Sequence, residues 1–342
     1  MKGVMEWMKR KDLVNRAAAL FFGALLAMSG VFVHRAEAAR MLVPVGHTIG
    51  IKVFSDGVVV VGLAQVETGD GLSAPGAECG LQVGDVIEEA NGTQVESSSQ
   101  FSRLLQCGGT VNLSVCRNGE DLTLSAHPVA DEDGTYRLGA WIRDSMAGIG
   151  TVTFYDPETG RFGALGHGVT DSDTGLLMPL LDGAVMSSTV KAVKLASAGT
   201  PGQLRGNFDL TQDVGTLYAN TEFGVFGTMK WEGPTGAQAV PTAEFHEVHE
   251  GKALIYANVS GDRVEEFEIE IVKVVSATGT QNLLLRVTDE ELISRTGGIV
   301  QGMSGSPIIQ DGKLVGAVTH VMINDPTKGY GIFIENMLQA AQ

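Results

Sequence analysis

Basic residues are scarce in this chain, and so are cysteines and aromatic rings. Lys and Arg total 24 against 40 Asp and Glu, a formal net charge of −16. Phosphate backbones are gripped by basic surface, so this balance argues against a nucleic-acid partner. The acidity otherwise reads as a solubility feature. Aromatic residues make up only 6% although hydrophobic residues reach 44%, and there are 45 glycines. That mixture suits a turn-rich β protein built from small and β-branched side chains. No long helical periodicity, internal repeat or low-complexity tract stands out beyond the N-terminal region.

The basic residues that do occur include a cluster at the start: Lys2, Lys9, Arg10, Lys11 and Arg16 precede an apolar run from Ala17 to Val33. Crossing hydrocarbon takes about 17–25 residues, so this run is marginal for a span. Positive residues ahead of it put the N-terminus in the cytoplasm and everything after Ala39 outside. Ala36-Glu37-Ala38 resembles a small-residue cleavage site, so signal peptide and uncleaved anchor both fit; the reading adopted is an anchor, residues 1–40. Either way the working domains are exported. The cysteines, Cys79, Cys107 and Cys116, are odd in number for an exported chain, which excludes a complete disulfide framework. They lack metal-ligand spacing and read as small buried hydrophobes.

Gly57 to Gly62 encloses four consecutive valines, a strongly β-prone run. A Gly/Ser/Pro-rich loop follows, from Thr68 to Gly76. Next comes Gly80-Leu81-Gln82-Val83-Gly84-Asp85-Val86-Ile87-Glu88-Glu89-Ala90-Asn91-Gly92. Gly80 ends a helical turn, Gly84-Asp85 turns the chain, Val86-Ile87 enters a strand, and Asn91-Gly92 is a tight-turn dipeptide. Ser98 to Gln106 reads as a helix with Phe101, Leu104 and Leu105 on one face. This pattern resembles a PDZ domain over roughly residues 50 to 128, within a domain expected at 41–130. The resemblance implies an α+β module that binds an extended peptide, often a C-terminus, by strand addition. The carboxylate-binding loop of such domains has no clear counterpart ahead of Val58.

From Tyr136 onward short strands alternate with Gly/Asp/Asn turns, as in Gly148 to Tyr155, Ala253 to Val259 and Leu283 to Val287. That is the signature of a sandwich or barrel, and about 200 residues fit a two-barrel peptidase over 131–342. The chemistry sits in Gly302-Met303-Ser304-Gly305-Ser306-Pro307. A serine between glycines, leading into a buried strand, is how a chymotrypsin-type barrel presents a nucleophile. The backbone N–H groups of Gly302 and Ser304 would then converge on the carbonyl oxygen under attack. Met303 stands where trypsin-type zymogens have aspartate, so activation through an ion pair with a new N-terminus is excluded. Ser306 is a poorer nucleophile candidate, being followed by Pro307.

Serine needs a base. His167, in Gly166-His167-Gly168-Val169-Thr170-Asp171, has glycine on both sides and is the upstream candidate. His246 and His249 lack the His-Glu-x-x-His pattern and, read as strand residues, face opposite ways. No motif calls for a metal or organic cofactor. For the acid that holds the histidine, spacing alone points to Asp209 or Asp213, with Asp171, Asp173 and Asp289 also available. Thr319 begins the turn after the strand Leu314 to Val318, where a chymotrypsin-like enzyme has a serine that bonds the acid.

A PDZ-like module followed by Gly-His-Gly-Val-Thr-Asp and Gly-Gly-Ile-Val-Gln-Gly-Met-Ser-Gly-Ser-Pro-Ile-Ile resembles the SpoIVB peptidase family, through nearly the whole chain. The resemblance implies Ser304 as nucleophile, His167 as base, Asp289 as essential acid and a functional role for Thr319. It further implies a signalling protease that cleaves itself. Its target would be a regulator of a membrane-embedded metalloprotease, cut between the two membranes of a sporulating cell so that a sigma factor is processed. Two rivals remain: an HtrA-like quality-control protease, disfavoured because those usually place PDZ after the protease, and a catalytically inactive peptide-binding scaffold.

Overall fold

The computed structural model describes residues 40–230 and 238–342, the side chains of 210–212 aside. The expected N-terminal anchor lies outside the described residues. Among the described residues no helix is long and apolar enough to cross a membrane.

The valine run proposed as a strand is the second half of a longer one. Strand β1 spans Met41–Pro44 and β2 spans Thr48–Leu63. A PDZ-like layer follows: helix α1 (Pro75–Glu78), β3 (Val86–Ala90), α2 (Ser98–Leu104), β4 (Val111–Arg117) and β5 (Glu120–Ala126). Helix α2 starts where Ser97 caps it, its side chain accepting from Gln100 N–H. Phe101 and Leu105 go into a core with Val58, Val60, Ile87, Leu113 and Val115. The Gly84-Asp85 turn is held by Arg117, whose guanidinium meets both Asp85 oxygens at 2.7 and 2.8 Å.

A 16-residue strand, β6 (Ala140–Tyr155), opens the next part. It continues through β7 (Arg161–Ala164), β8 (Asp182–Lys194), β9 (Gln203–Thr221) and β10 (Gly224–Met229). The pairings β2–β6, β6–β7, β7–β10, β10–β9, β9–β8 and β8–β2 close a ring. The second ring comprises β11 (Gly251–Ser260), β12 (Arg263–Val274), β13 (Leu283–Val287), β14 (Pro307–Gln310), β15 (Lys313–Val321) and β16 (Lys328–Phe333). It closes as β11-β12-β13-β16-β15-β14. In chain order both rings run first, second, third, sixth, fifth, fourth, a topological repeat that the sequence did not display as similarity. Helix α3 (Glu290–Thr296) lies between β13 and β14, and α4 (Ile334–Ala340) closes the chain. Each ring fills with its own alternating residues, among them Val152, Phe162 and Val185 in the first and Ile255, Phe267 and Leu285 in the second. Residues of both rings meet in a shared cluster around Phe154, Phe226, Ile309 and Ile332.

Strand pairing does not divide at the expected boundary of 130/131. β1 and the Thr48–Phe54 part of β2 pair with β6 and β8 of the first ring. The Ala140–Arg143 part of β6 pairs in the other direction, with Val59 to Leu63 of the PDZ-like layer. The crossing point is Gly57, left-handed at φ 86°, where a Cβ would lie 2.3 Å from the Ile87 carbonyl oxygen. Only glycine lets β2 pass from one layer to the other there. The three cysteines are all free.

Candidate active site

His167 is delivered by a backbone kink. After β7, Leu165 and Gly166 both take left-handed conformations, φ 70° and 69°. Gly166 presses on the second ring so closely that a Cβ would sit 2.9 Å from Thr319 Cγ2 and from Ile332 Cγ2. The next residue therefore emerges at the seam between the rings. Asn220 fixes the far side of this loop: its Oδ1 accepts from Val169 N–H at 2.8 Å, and its amide donates to the Val169 and Met178 carbonyls. His167 Nδ1 stands 2.8 Å from its neighbour's carbonyl, Gly168 O. A carbonyl only accepts, so Nδ1 carries the proton and Nε2 is left as a base. Burial pushes the His167 pKa below the ordinary 6.5, and the bond to Gly168 O opposes that only in part.

Ser304 sits on a turn held from the first ring. Thr151 donates its hydroxyl to Gly302 O at 2.7 Å and its N–H to Ser304 O at 3.0 Å. Gly305 packs against the same strand; a Cβ there would be 2.0 Å from Thr151 O. Two peptide planes in this turn are locked through their carbonyls. Gln301 O accepts from Leu204 N–H at 2.8 Å, and Met303 O accepts from Ser306 N–H at 2.9 Å. In a trans peptide the N–H points opposite to the carbonyl. Gly302 N–H and Ser304 N–H are thereby both turned away from those anchors, and neither donates to a described acceptor. Two N–H groups with no described acceptor thus stand on either side of the serine turn. The Ser304 hydroxyl itself donates to Thr319 O at 2.7 Å.

These pieces line one groove of about 470 Å³. Ser304, His167, Gly302 and Thr319 all border it, as do Ile149 and His320. The imidazole rings of His167 and His320 lie 5.0 Å apart, centre to centre. Burial, and then the neighbouring His167, lower the His320 pKa.

The proposed acids are not brought together with this pair. Asp289 caps α3, one oxygen accepting from Leu292 N–H at 2.9 Å and the other from Glu268 N–H at 3.2 Å. It lies on the second ring and is not among the residues that border the groove. Asp209 and Asp213 are exposed on β9. Asp171 is buried and Asp173 exposed, and both pair with Arg143. Thr319 Oγ1 donates to Tyr330 O rather than to an acid. His246 lies within a 3₁₀ turn, Phe245–Glu247, and His249 just after it, rather than in a strand, because Glu244 and Glu247 form a capping box there. His249 Nε2 is 2.8 Å from Asp311. Ser306 is fully buried, which leaves it no access to the groove, and Met303 is core. Thr151, Leu204 and Asn220 were not legible as site residues. Each acts through a long-range hydrogen bond that carries no local motif.

The family model for SpoIVB peptidase S55 matches residues 134–338, more than half of the chain. The chain belongs to this family. A PDZ domain model matches residues 73–117. The protein is thus a serine peptidase that carries a PDZ domain. Solved structures similar to it include the PDZ domain of the SdrC-like protein from Listeria monocytogenes, at 26% identity and TM-score 0.21, covering 26% of this chain and 90% of that one. The corresponding domain from Listeria innocua is also 26% identical, with TM-score 0.22, over 26% and 94% of the two chains. No curated protein matches the chain.

Proposed function

We propose that Ser304 is the nucleophile and His167 the general base of a chymotrypsin-like double-barrel endopeptidase. The observation that carries this is the convergence, at one groove, of Ser304, a histidine with a free Nε2, and two preset backbone donors. In the reaction the Ser304 hydroxyl leaves Thr319 O and gives its proton to His167 Nε2 as Oγ bonds to the scissile carbonyl carbon. Gly302 N–H and Ser304 N–H hold the resulting oxyanion. His167 then protonates the leaving amine; a water molecule, deprotonated by the same imidazole, attacks the acyl carbon, the bond to Ser304 Oγ breaks, and the imidazolium returns the proton to Oγ. Gly168 O holds the Nδ1 proton throughout, so the pair works with a backbone carbonyl where such enzymes usually have a carboxylate.

By its family resemblance, the protein acts outside the cytoplasm, held by its N-terminal segment. There it cleaves itself and a regulator of a membrane-embedded metalloprotease, so that a sigma factor is processed during endospore formation. A serine-directed fluorophosphonate and mass spectrometry test the catalytic part. Wild type is expected to be labelled on Ser304 and to produce fragments, while Ser304→Ala does neither, with a loss of about a millionfold in rate. Labelling elsewhere, or none, would return the inactive scaffold to the front. Cleavage of a regulator's extracytoplasmic part, in preference to an unfolded casein-type substrate, separates signalling from quality control.

A further inference from the structure

The PDZ-like layer has a cavity of its own, about 490 Å³, between α2 and the first residues of β6. Phe101, Leu105 and Leu138 give it a buried apolar floor. At its end Leu138 O accepts from Gly76 N–H and Gly139 O accepts from Ala64 N–H, both at 2.7 Å. The same peptide-plane logic then turns Gly139 N–H and Ala140 N–H away from those anchors. This makes a backbone cradle fit for a carboxylate. Gly139 is left-handed at φ 66°, and a Cβ there would be 2.2 Å from Ala64 O.

What distinguishes this groove is the strand that forms its wall. β6 begins at the cradle and runs without a break to the catalytic turn. Among the described residues, Ala140 to Thr151 pair only with β2. From Ala140 to Gly150 no described strand pairs with the other edge; at Thr151 that edge meets Ser304 O and Leu165 N–H. Thr151 points its N–H outward to Ser304 O. Alternation along a strand then makes Ile149, Ala147 and Ser145 the next residues with outward-facing backbone groups, and Ile149 borders the catalytic groove.

We infer that a substrate polypeptide lies along this edge with its C-terminus in the cradle, so that the enzyme cuts at a set distance from the substrate's C-terminal end. This rests on Ser304 being the nucleophile. A chain whose C-terminus sits at the start of β6 must run antiparallel to it. The residues along the edge are then those C-terminal to the scissile bond. The nine steps from Ala140 to Ile149 span about 30 Å at roughly 3.3 Å each. Cleavage is therefore set about 9–12 residues from the terminus. Register shifts at Trp141/Ile142 and Arg143/Ser145 broaden that window. At the second of these the Asp144 carboxylate accepts from Ser98 N–H at the start of α2, so the substrate must pass that contact unpaired.

The test uses the full-length protein in detergent and a mixture of random-sequence peptides about 25 residues long. One set carries free C-termini and the other C-terminal amides. Cut positions are counted from the C-terminus by mass spectrometry, and Ser304 labelling is measured in parallel. Cuts about 9–12 residues from a free terminus should exceed those at other distances on the order of a hundredfold, as expected for a second attachment point. The amides should lose that clustering. Labelled Ser304 with cuts scattered along both sets would overturn the measured distance and leave the peptidase standing. Absence of both labelling and cutting would overturn the peptidase assignment, and the measured distance with it.

Discussion

Substituting Asp289 separates two accounts of the catalytic pair. In the structure Asp289 caps α3, one oxygen serving Leu292 N–H and the other Glu268 N–H. Asparagine caps about as well as aspartate, but its amide nitrogen cannot accept. Asp289→Asn therefore keeps the cap and loses the Glu268 bond, at a cost of about 0.5–1.5 kcal/mol. In a protein of this size that lowers Tm by roughly 2–4 °C per kcal/mol. Asp289→Ala also loses the cap, worth about a further 0.5–2 kcal/mol. If His167 is oriented by Gly168 O, both variants that remain folded should keep kcat/KM within about threefold of wild type. A carboxylate that holds the catalytic histidine behaves differently, since its amide variant loses about 10⁴-fold in kcat. The assay pairs peptide hydrolysis with a thermal melt at the same temperature and salt. Folded Asp289→Asn with a thousandfold loss would refute the reading of His167 given above and restore the acid implied by family resemblance.

Thr151→Val removes the hydroxyl that fixes Gly302 O while keeping shape; an unpaired buried carbonyl costs about 1–3 kcal/mol, and kcat should fall about tenfold, measured beside an unchanged fold by circular dichroism. The acid limb of kcat/KM should titrate below the ordinary histidine value of 6.5, because burial disfavours the imidazolium of His167; a limb above 6.5 would contradict that burial. Linkage gives the matching stability effect: with a folded pKa below the unfolded one, the unfolded state binds the proton first, so stability should drop as pH falls below 6.5 in urea titrations. Arg117→Ala leaves the Asp85 carboxylate, whose side chain has no exposure, with the Gln82 N–H but no counter-charge. It should destabilise the PDZ-like layer, read as faster hydrogen exchange at Val86–Ala90, while serine labelling persists.

Local patterns predict local things here. The Gly-Met-Ser-Gly turn, the glycine-flanked histidine and the Gly-Asp turn of the PDZ-like part each depend on neighbours in sequence. The helix expected from Ser98 to Gln106 is Ser98–Leu104 followed by a 3₁₀ turn, because its apolar face and Ser97 cap are close neighbours in sequence. Leu283–Val287 is a strand with the expected ends. Charge and the shortage of lysine and arginine equally needed no structure to be read.

The rest depends on residues far apart in the chain. Thr151 and Gly302 are separated by 151 positions, Thr48 and Asn258 by 210, and no spacing rule reaches across such gaps. Asp289 was chosen by resemblance, Asp209 and Asp213 by spacing; packing gives the first to a helix end and leaves the other two exposed, because a carboxylate takes whichever N–H groups the fold presents to it. Ile49 to Phe54 alternates like any strand, and only its partners show that it pairs within the first ring. Sequence by itself thus determined which residues could do the chemistry. The closing of two strand rings decided which of them meet, since contact across a seam is set by how the rings pack and not by order along the chain.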